Sequence, residues 1–595
     1  MAARWAQKSV CGASLIWAAR ATTKSRQWLT QSTSVIGSTA PILRAEGDSP
    51  SRGQDLRLRV VQPASDGEFS ASQRTALKPY FTNLDGPVFC LLNMPEVVKG
   101  ALFSRYSRTE KSLRRVLLDE FLDRVVPPSA VGEGVGAESA VASDRAEEFY
   151  ERILVGYGDD SVAELAGAHL ALERVSTLAA KSLEDSRIGL SPLEKSTRYV
   201  RFDRPGADGK ALYYRGPELN HPGYEPAMGE LFATYSGLLE PLTETIRGQH
   251  PRRTDESERA WKSATRAKAL DLLRGLLPAA TQTNLGLFGN GRAFEYLITK
   301  MSAHELPECR RLAVDMHREL SLVIPTFVRR SLDAGHGRLA AARMVRVREE
   351  LAGLAPAPTP VPAEVGVRLV EFDPEAEAKV VAAALFPHSD LPLLDLAWRD
   401  VNSDRVLEAL LGGRENRRQR PPRALEHATY TFEIVANFAA YRDLQRHRML
   451  TQDRQLLGTE LGYDVPDLIR THGMEVKFRS AIEGAARAQR SLASSAGREL
   501  AQYAVPLAFR LRWYVRANLR EIYHLCELRT APQGHVDYRS LAQRIFRCVE
   551  EVHPRLTVHA DFVDMGPGDE LERRASEMRL DQKRAAVGRS SEPRA

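Results

Sequence analysis

Tyr441-Arg442-Asp443-Leu444-Gln445-Arg446-His447-Arg448-Met449-Leu450-Thr451 closes a stretch in which Thr431, Phe432, Ile434, Val435, Phe438 and Tyr441 recur at short intervals. The spacing predicts one long amphipathic helix ending in a cluster of cations. Arg446, His447 and Arg448 place three strong donors in three residues, a grip for phosphate or for the polar edge of a ring system. A lone Arg-His-Arg is more often a solvated basic helix end. Its neighbours elsewhere in the chain give this one its weight.

Working outward, the chain reads as two copies of one unit. Pro506 is followed twelve residues later by Asn518-Leu519-Arg520, and Pro278 at the same distance by Asn290-Gly291-Arg292. Each Asn-x-Arg group opens an apolar-periodic run, with Phe294, Leu297 and Ile298 in one and Ile522, Leu525 and Leu528 in the other. Shared spacing with shared residue types indicates internal duplication. Leu165, His169, Leu172 and Val175 predict a first-copy counterpart of the long helix. Gly353–Gly366, rich in Pro and Ala, reads as an extended linker, and Val367–Phe372 alternates like a strand. The Gly286-x-x-Gly289-x-Gly291 cluster has the wrong spacing for a dinucleotide fingerprint and reads as a bend serving Asn290.

These motifs resemble the flavin-dependent thymidylate synthase (thymidylate synthase complementing protein) family. Its signature is Arg-His-Arg with Glu-x-Ser-x-Arg beginning eight residues past the first Arg. In the second copy Arg454, Leu456 and Gly458 occupy the later positions. The first copy keeps Glu194, Ser196 and Arg198, but has Ser186-Arg187-Ile188 or Glu184-Asp185-Ser186 in place of the trio. The family's Glu-His, twenty residues before the first motif Arg, falls at Glu426-His427. Its flavin-contacting residues fall at Asn518, Arg520 and His524, and its late nucleotide-binding Arg at Arg529. A further nucleotide-binding Arg falls at Arg274, where the second copy has Gln502; Met301 stands where the second copy has Arg529.

The resemblance implies an α+β fold of two tandem domains, each an antiparallel sheet with long helices. It implies methylation of dUMP to dTMP with FAD, NADPH and methylenetetrahydrofolate. The family's nucleotide pocket is shared between subunits, so complementary losses leave one composite pocket. Glu194, Ser196, Arg198 and Arg274 would bind substrate from one side, with Arg446 and Arg529, the catalytic pair, from the other. Glu426, His427, His447, Arg448, Asn518, Arg520 and His524, with Asn290 and Arg292 of the first copy, would hold the flavin. Family homotetramers translate into a homodimer of the fused chain, a four-domain assembly. The alternative is an inactive pseudo-enzyme serving as a structural or scaffold subunit of an organellar complex.

Composition sets bounds on this reading. The 595 residues carry a net charge of +6, suited to an anionic ligand. No aromatic stripe is interleaved with the basic residues as nucleic-acid binding would want. The five cysteines are scattered without a Cys-x-x-Cys, so neither a metal site nor a disulfide framework is expected. No apolar run reaches membrane-spanning length. Residues 1–45 hold several Arg and Lys and no acid, the composition of an organellar transit peptide, mitochondrial ahead of plastid, with a cytoplasmic chain as the alternative. The expected layout is a transit peptide (1–45), a disordered linker (46–75), a first domain (76–350), a linker (351–366), a second domain (367–565) and a flexible tail (566–595).

Overall fold

The computed structural model describes residues 69–107, 109–122, 163–186, 188–206, 208–356, 364–568 and 570–590, all within the unit Ser65–Ala595. The transit-peptide segment, residues 46–68 and the middle of the 351–366 linker lie outside the described residues.

The stretch expected as one long helix divides at Asn437. Residues Thr429–Asn437 form strand β5, and only Phe438–Leu444 is helical. The first copy does the same, with strand β1 (Gly167–Ser176) followed by helix Thr177–Glu184. β5 is a central strand whose last four residues are all buried. Burial on both faces makes apolar residues consecutive, and a consecutive run also satisfies helical spacing. The switch to helix is made by caps: the Asn437 side chain accepts from Ala440 N, and the Ser176 side chain from Ala179 N. An acid holds each cap in turn, Asp537 at 2.8 Å from Asn437 Nδ2 and Glu308 at 2.6 Å from Ser176 Oγ. Glu426-His427, the match to the family's Glu-His, lies in a short 3-10 turn (Arg423–His427) before β5.

The remaining strands are β2 (Leu190–Glu194), β3 (Gln282–Asn290), β4 (Gly366–Phe372), β6 (Thr451–Arg454) and β7 (Arg510–Asn518). They form two antiparallel sheets, ordered β1-β3-β2 and β4-β5-β7-β6. The chain is therefore α+β, with one sheet per repeat. β3 and β7 each lead into a helix, Gly291–Ser302 and Leu519–Arg529, capped by Asn290 and Asn518. Gly286 and Gly289 lie inside β3, so the expected bend is absent. A Cβ on Gly289 would meet Leu190 Cδ2 at 2.2 Å, so this glycine permits strand packing.

The repeats meet about a local twofold at Pro278 and Pro506, which form an antiparallel bridge. Ala279 N donates to Val505 O at 2.8 Å and Leu507 N to Leu277 O at 2.9 Å. Ala280 N reaches Tyr503 O and Ala508 N reaches Gly275 O, both at 3.0 Å. Such reciprocal bonding is isologous pairing within one chain. Helix Tyr224–Gln249 packs beside its counterpart Glu475–Ala496 across the same boundary, and one apolar core runs through both repeats.

Two expected boundaries change. Ser70 and Gln73 make a capping box for helix Ala71–Leu77, whose Leu77 is fully buried, so order begins before residue 76. Residues Arg574–Ser590, expected to be a flexible tail, form a helix packed on Glu258–Leu273 of the first repeat. Glu572 pairs with Lys268 at 2.6 Å and Arg574 with Glu256 at 3.3 Å. Among the described residues no helix is long and apolar enough to cross a membrane.

Candidate functional site

Sheet register aligns the two half-motifs. Glu194 of β2 pairs with Leu285 of β3, and Arg454 of β6 with Trp513 of β7. Leu285 and Trp513 are separated by the same interval as Pro278 and Pro506, so Arg454 occupies the place of Glu194. The helix junctions align likewise. Thr177 N and Leu178 N bond Thr281 O and Ala279 O, as Phe438 N and Ala439 N bond Phe509 O and Leu507 O. Continued along the helix, this offset sets Asp185-Ser186-Arg187 opposite Arg446-His447-Arg448. Neither earlier alignment of the first copy holds; Arg187 itself lies outside the described residues.

The kept halves meet at one place. The Glu194 carboxylate, at zero side-chain exposure, accepts from Lys181 at 2.8 Å, Arg442 at 2.9 Å and Arg446 at 2.8 Å. Burial works to raise this carboxyl, but Arg442, Lys181 and Arg446 together hold it well below the usual carboxylate range. Glu184 makes a second pair with Lys181. Beside them, Asp443 accepts from Arg274 at 3.0 Å and lies 3.4 Å from Arg198. It too is pressed upward by burial and drawn below the normal range by Arg198, Arg274, Arg446 and Arg529. Arg198 also pairs with Asp271 at 3.1 Å, and burial raises the Asp271 carboxyl to about 6. The Tyr538 ring lies 5.1 Å from the Arg198 guanidinium and 5.5 Å from that of Arg529.

Arg198 and Arg274 of the first repeat thus converge with Arg446 and Arg529 of the second around Asp443. Sequence reading missed Lys181, Arg442, Asp271, Asp443 and Tyr538. Arg442 and Asp443 stood in the opening stretch, on the helix face that meets the first repeat. The cations Lys181, Arg198, Arg274, Arg442, Arg446 and Arg529 gather here with the carboxylates Glu184, Glu194, Asp271 and Asp443, and the Asp537 carboxyl lies within electrostatic reach of Arg274. Arg274 is 4 % exposed, and its Nε and Nη2 have no hydrogen-bond partner. Buried donors in that condition suit an added anion. Ser196 Oγ accepts from Arg198 N at 3.3 Å, leaving its hydroxyl proton free to donate.

The expected flavin residues of the second repeat gather at the Leu519–Arg529 helix. His447 Nδ1 and Glu521 Oε1 are 2.9 Å apart, and His524 Nδ1 is 3.4 Å from the same oxygen. Arg529 Nε donates to His447 Nε2 at 3.0 Å, which places the His447 proton on Nδ1 and links this group to the arginine cluster. Burial lowers the His447 pKa to about 4, with Glu521 opposing and Arg529 assisting. His447, Glu521 and His524 bring three metal-capable atoms within 4.8 Å, but the Arg529 bond keeps the His447 Nδ1 protonated and closed to a metal. Arg520 pairs with Glu426 at 2.9 Å and donates to Pro421 O at 2.8 Å. Asn518 Oδ1 accepts from Glu521 N as a helix cap. Arg448 donates to Ser191 Oγ at 2.6 Å across the repeats, while His427 and His524 are exposed. In the first repeat Asn290 caps its helix, and Arg292 pairs with Glu164 at an exposed position.

The mirror position is closed. Gln502 is 1 % exposed; its Oε1 accepts from Leu457 N at 3.0 Å and Arg454 at 3.2 Å. Met301 is fully buried. Asp185 replaces a cation there.

Comparisons with known proteins agree with the duplication. The family description "thymidylate synthase complementing protein" matches the chain twice, over residues 119–326 and 368–555. A UPF0159 protein of Chlamydia muridarum is 44% identical over 525 residues, covering 85% of this chain and 97% of its own. A flavin-dependent thymidylate synthase of Geobacter sulfurreducens is 28% identical over 214 residues, 34% of this chain and 87% of that protein. The UMP/dUMP methylase PolB from Streptomyces cacaoi, solved with 5-Br dUMP, is 21% identical and covers 33% of this chain and 94% of its own. Its TM-score of 0.28 is too low to carry an argument.

Proposed function

We propose that this chain, which belongs to the thymidylate synthase complementing protein family, methylates dUMP to dTMP at one composite site between its repeats. The observation that carries this reading is the convergence of Arg198 and Arg274 from one repeat with Arg446 and Arg529 from the other. Several guanidiniums converging from both repeats suit a nucleotide phosphate dianion. Arg274, with two partnerless buried donors, and Ser196, with its available hydroxyl proton, supply charge-assisted bonds to that phosphate. Arg446 and Arg529 would set positive charge against the uracil, stabilising the enolate that addition at its C6 would create and from whose C5 the new carbon–carbon bond would form.

The Leu519–Arg529 helix fits a flavin. Asn518, Arg520 and His524 stand together there, a donor set suited to the cofactor's polar edge and phosphates. When bound, FAD supplies the hydride, with methylenetetrahydrofolate giving the carbon and NADPH the reducing electrons. His447 joins this group to Arg529, so the cofactor and nucleotide sides share one hydrogen-bonded frame. Two copies of the chain would reproduce the family's four-domain assembly, and the basic, acid-free first 45 residues would direct it to the mitochondrion.

A second reading rests on a specific observation: Glu194 and Asp443 already neutralise the arginines they touch. In that reading the cluster is an internal ion-pair network and the chain a scaffold subunit. An absorbance spectrum of the purified chain supplied with FAD, recorded with and without dUMP, separates the two. The catalytic reading expects bound flavin whose spectrum shifts with dUMP. A colourless chain, or a spectrum indifferent to dUMP, supports the scaffold.

A further inference from the structure

Both family-matched stretches end by residue 555, yet the chain continues to Arg573, set over the ring of Tyr199 next to Arg198 in sequence. We propose that Arg573, on this C-terminal strap, is a further phosphate-binding residue that closes the composite site over a nucleoside monophosphate. The inference rests on the dUMP-site reading above.

The strap is pinned on either side of Arg573. Leu571 is buried, Glu572 pairs with Lys268 at 2.6 Å, and Arg574 pairs with Glu256 and donates to Pro251 O at 2.9 Å. The partners Lys268, Glu256 and Pro251 are all on the first repeat, which contributes Arg198 and Arg274. Glu572 lies close enough to Asp271, the Arg198 partner, to act on its carboxyl. Between these anchors the Arg573 guanidinium is held 4.4 Å above the Tyr199 ring, one residue from Arg198. Its Nε is buried without a hydrogen-bond partner. Burial and the Arg198 charge lower its pKa to about 10, with only Glu577 opposing. A cation held against another cation, with an unfilled donor, is arranged for an anion delivered from outside. Tyr199 fixes the guanidinium plane from one side, leaving its edge for the phosphate.

The test compares dUMP with deoxyuridine, which lacks the phosphate, by calorimetry on the flavin-loaded full chain. Arg573→Ala and Arg573→Gln should each weaken dUMP binding roughly tenfold and leave deoxyuridine binding unchanged. Arg579→Ala, an exposed position on the helix that follows Arg573, should change neither. The Gln variant keeps the side chain's bulk and covers the case in which Ala loosens the strap. Wild-type dUMP affinity in both Arg573 variants would overturn the strap's role while leaving the composite site standing. An equal loss for dUMP and deoxyuridine would reduce Arg573 to packing. A wild-type chain that binds no dUMP would remove the underlying reading and this inference with it.

Discussion

Glu194 of the first repeat and Arg446 of the second meet at 2.8 Å, although 252 residues separate them in the chain. Each belongs to the half-motif that its own repeat kept, so the two surviving halves touch across the repeat boundary. The pair is also part of the framework, because Lys181 and Arg442 share the same carboxylate.

Neutralising that carboxylate should be costly. Glu194→Gln would strand the buried Arg442 without its acid and take one partner from each of Lys181 and Arg446. Removing one member of a buried ion network costs about 3–5 kcal/mol. Urea unfolding should show a loss of that order, whereas Glu258→Gln, an exposed acid on the Glu258–Leu273 helix, should change little.

The two arginine sets should be equivalent in binding. Arg198→Ala and Arg529→Ala should each weaken dUMP binding by about 1.5–3 kcal/mol, read by calorimetry. The double variant should lose less than the sum if both serve one phosphate. Gln502→Ala, at the mirror position, should leave dUMP affinity unchanged. It should cost about 1–3 kcal/mol of stability, because Leu457 N and Arg454 would lose their acceptor.

His447 should give the fold a pH-sensitive step. Its pKa falls from 6.5 to about 4 on folding, so between those values the unfolded chain takes up a proton that the folded chain refuses. Stability should therefore fall as pH drops from 6.5 toward 4, by up to roughly 3 kcal/mol from this group. Other buried histidines titrate in the same window, so the informative quantity is the difference between wild type and His447→Gln. The variant should lose less stability than wild type between pH 7.5 and pH 5; equal losses would remove His447 from this role.

The duplication was legible in the sequence because Pro278/Asn290 and Pro506/Asn518 serve local geometry, the boundary bridge and the helix cap, that each repeat must solve alike. The four converging arginines were legible because the half-motifs had divided cleanly. β5 reads as a helix because its last four residues are all buried and lose the alternation that distinguishes a strand; β1, an edge strand, reads as one because Leu172 and Val175 fit helical spacing with Leu165 and His169. Asp443 and Asp271 went unseen because an acid inside a basic cluster has no pattern of its own; only packing across the repeats shows what it neutralises. The strap was read as tail because its charged residues gain their partners, Lys268 and Glu256, some three hundred positions away.

The central claim is that one site survives out of two, and binding stoichiometry tests it most directly. Calorimetric titration of dUMP into the flavin-loaded chain should give one site per chain, abolished or strongly weakened by Arg198→Ala combined with Arg529→Ala. Two equivalent sites per chain, or no binding at all, would contradict it.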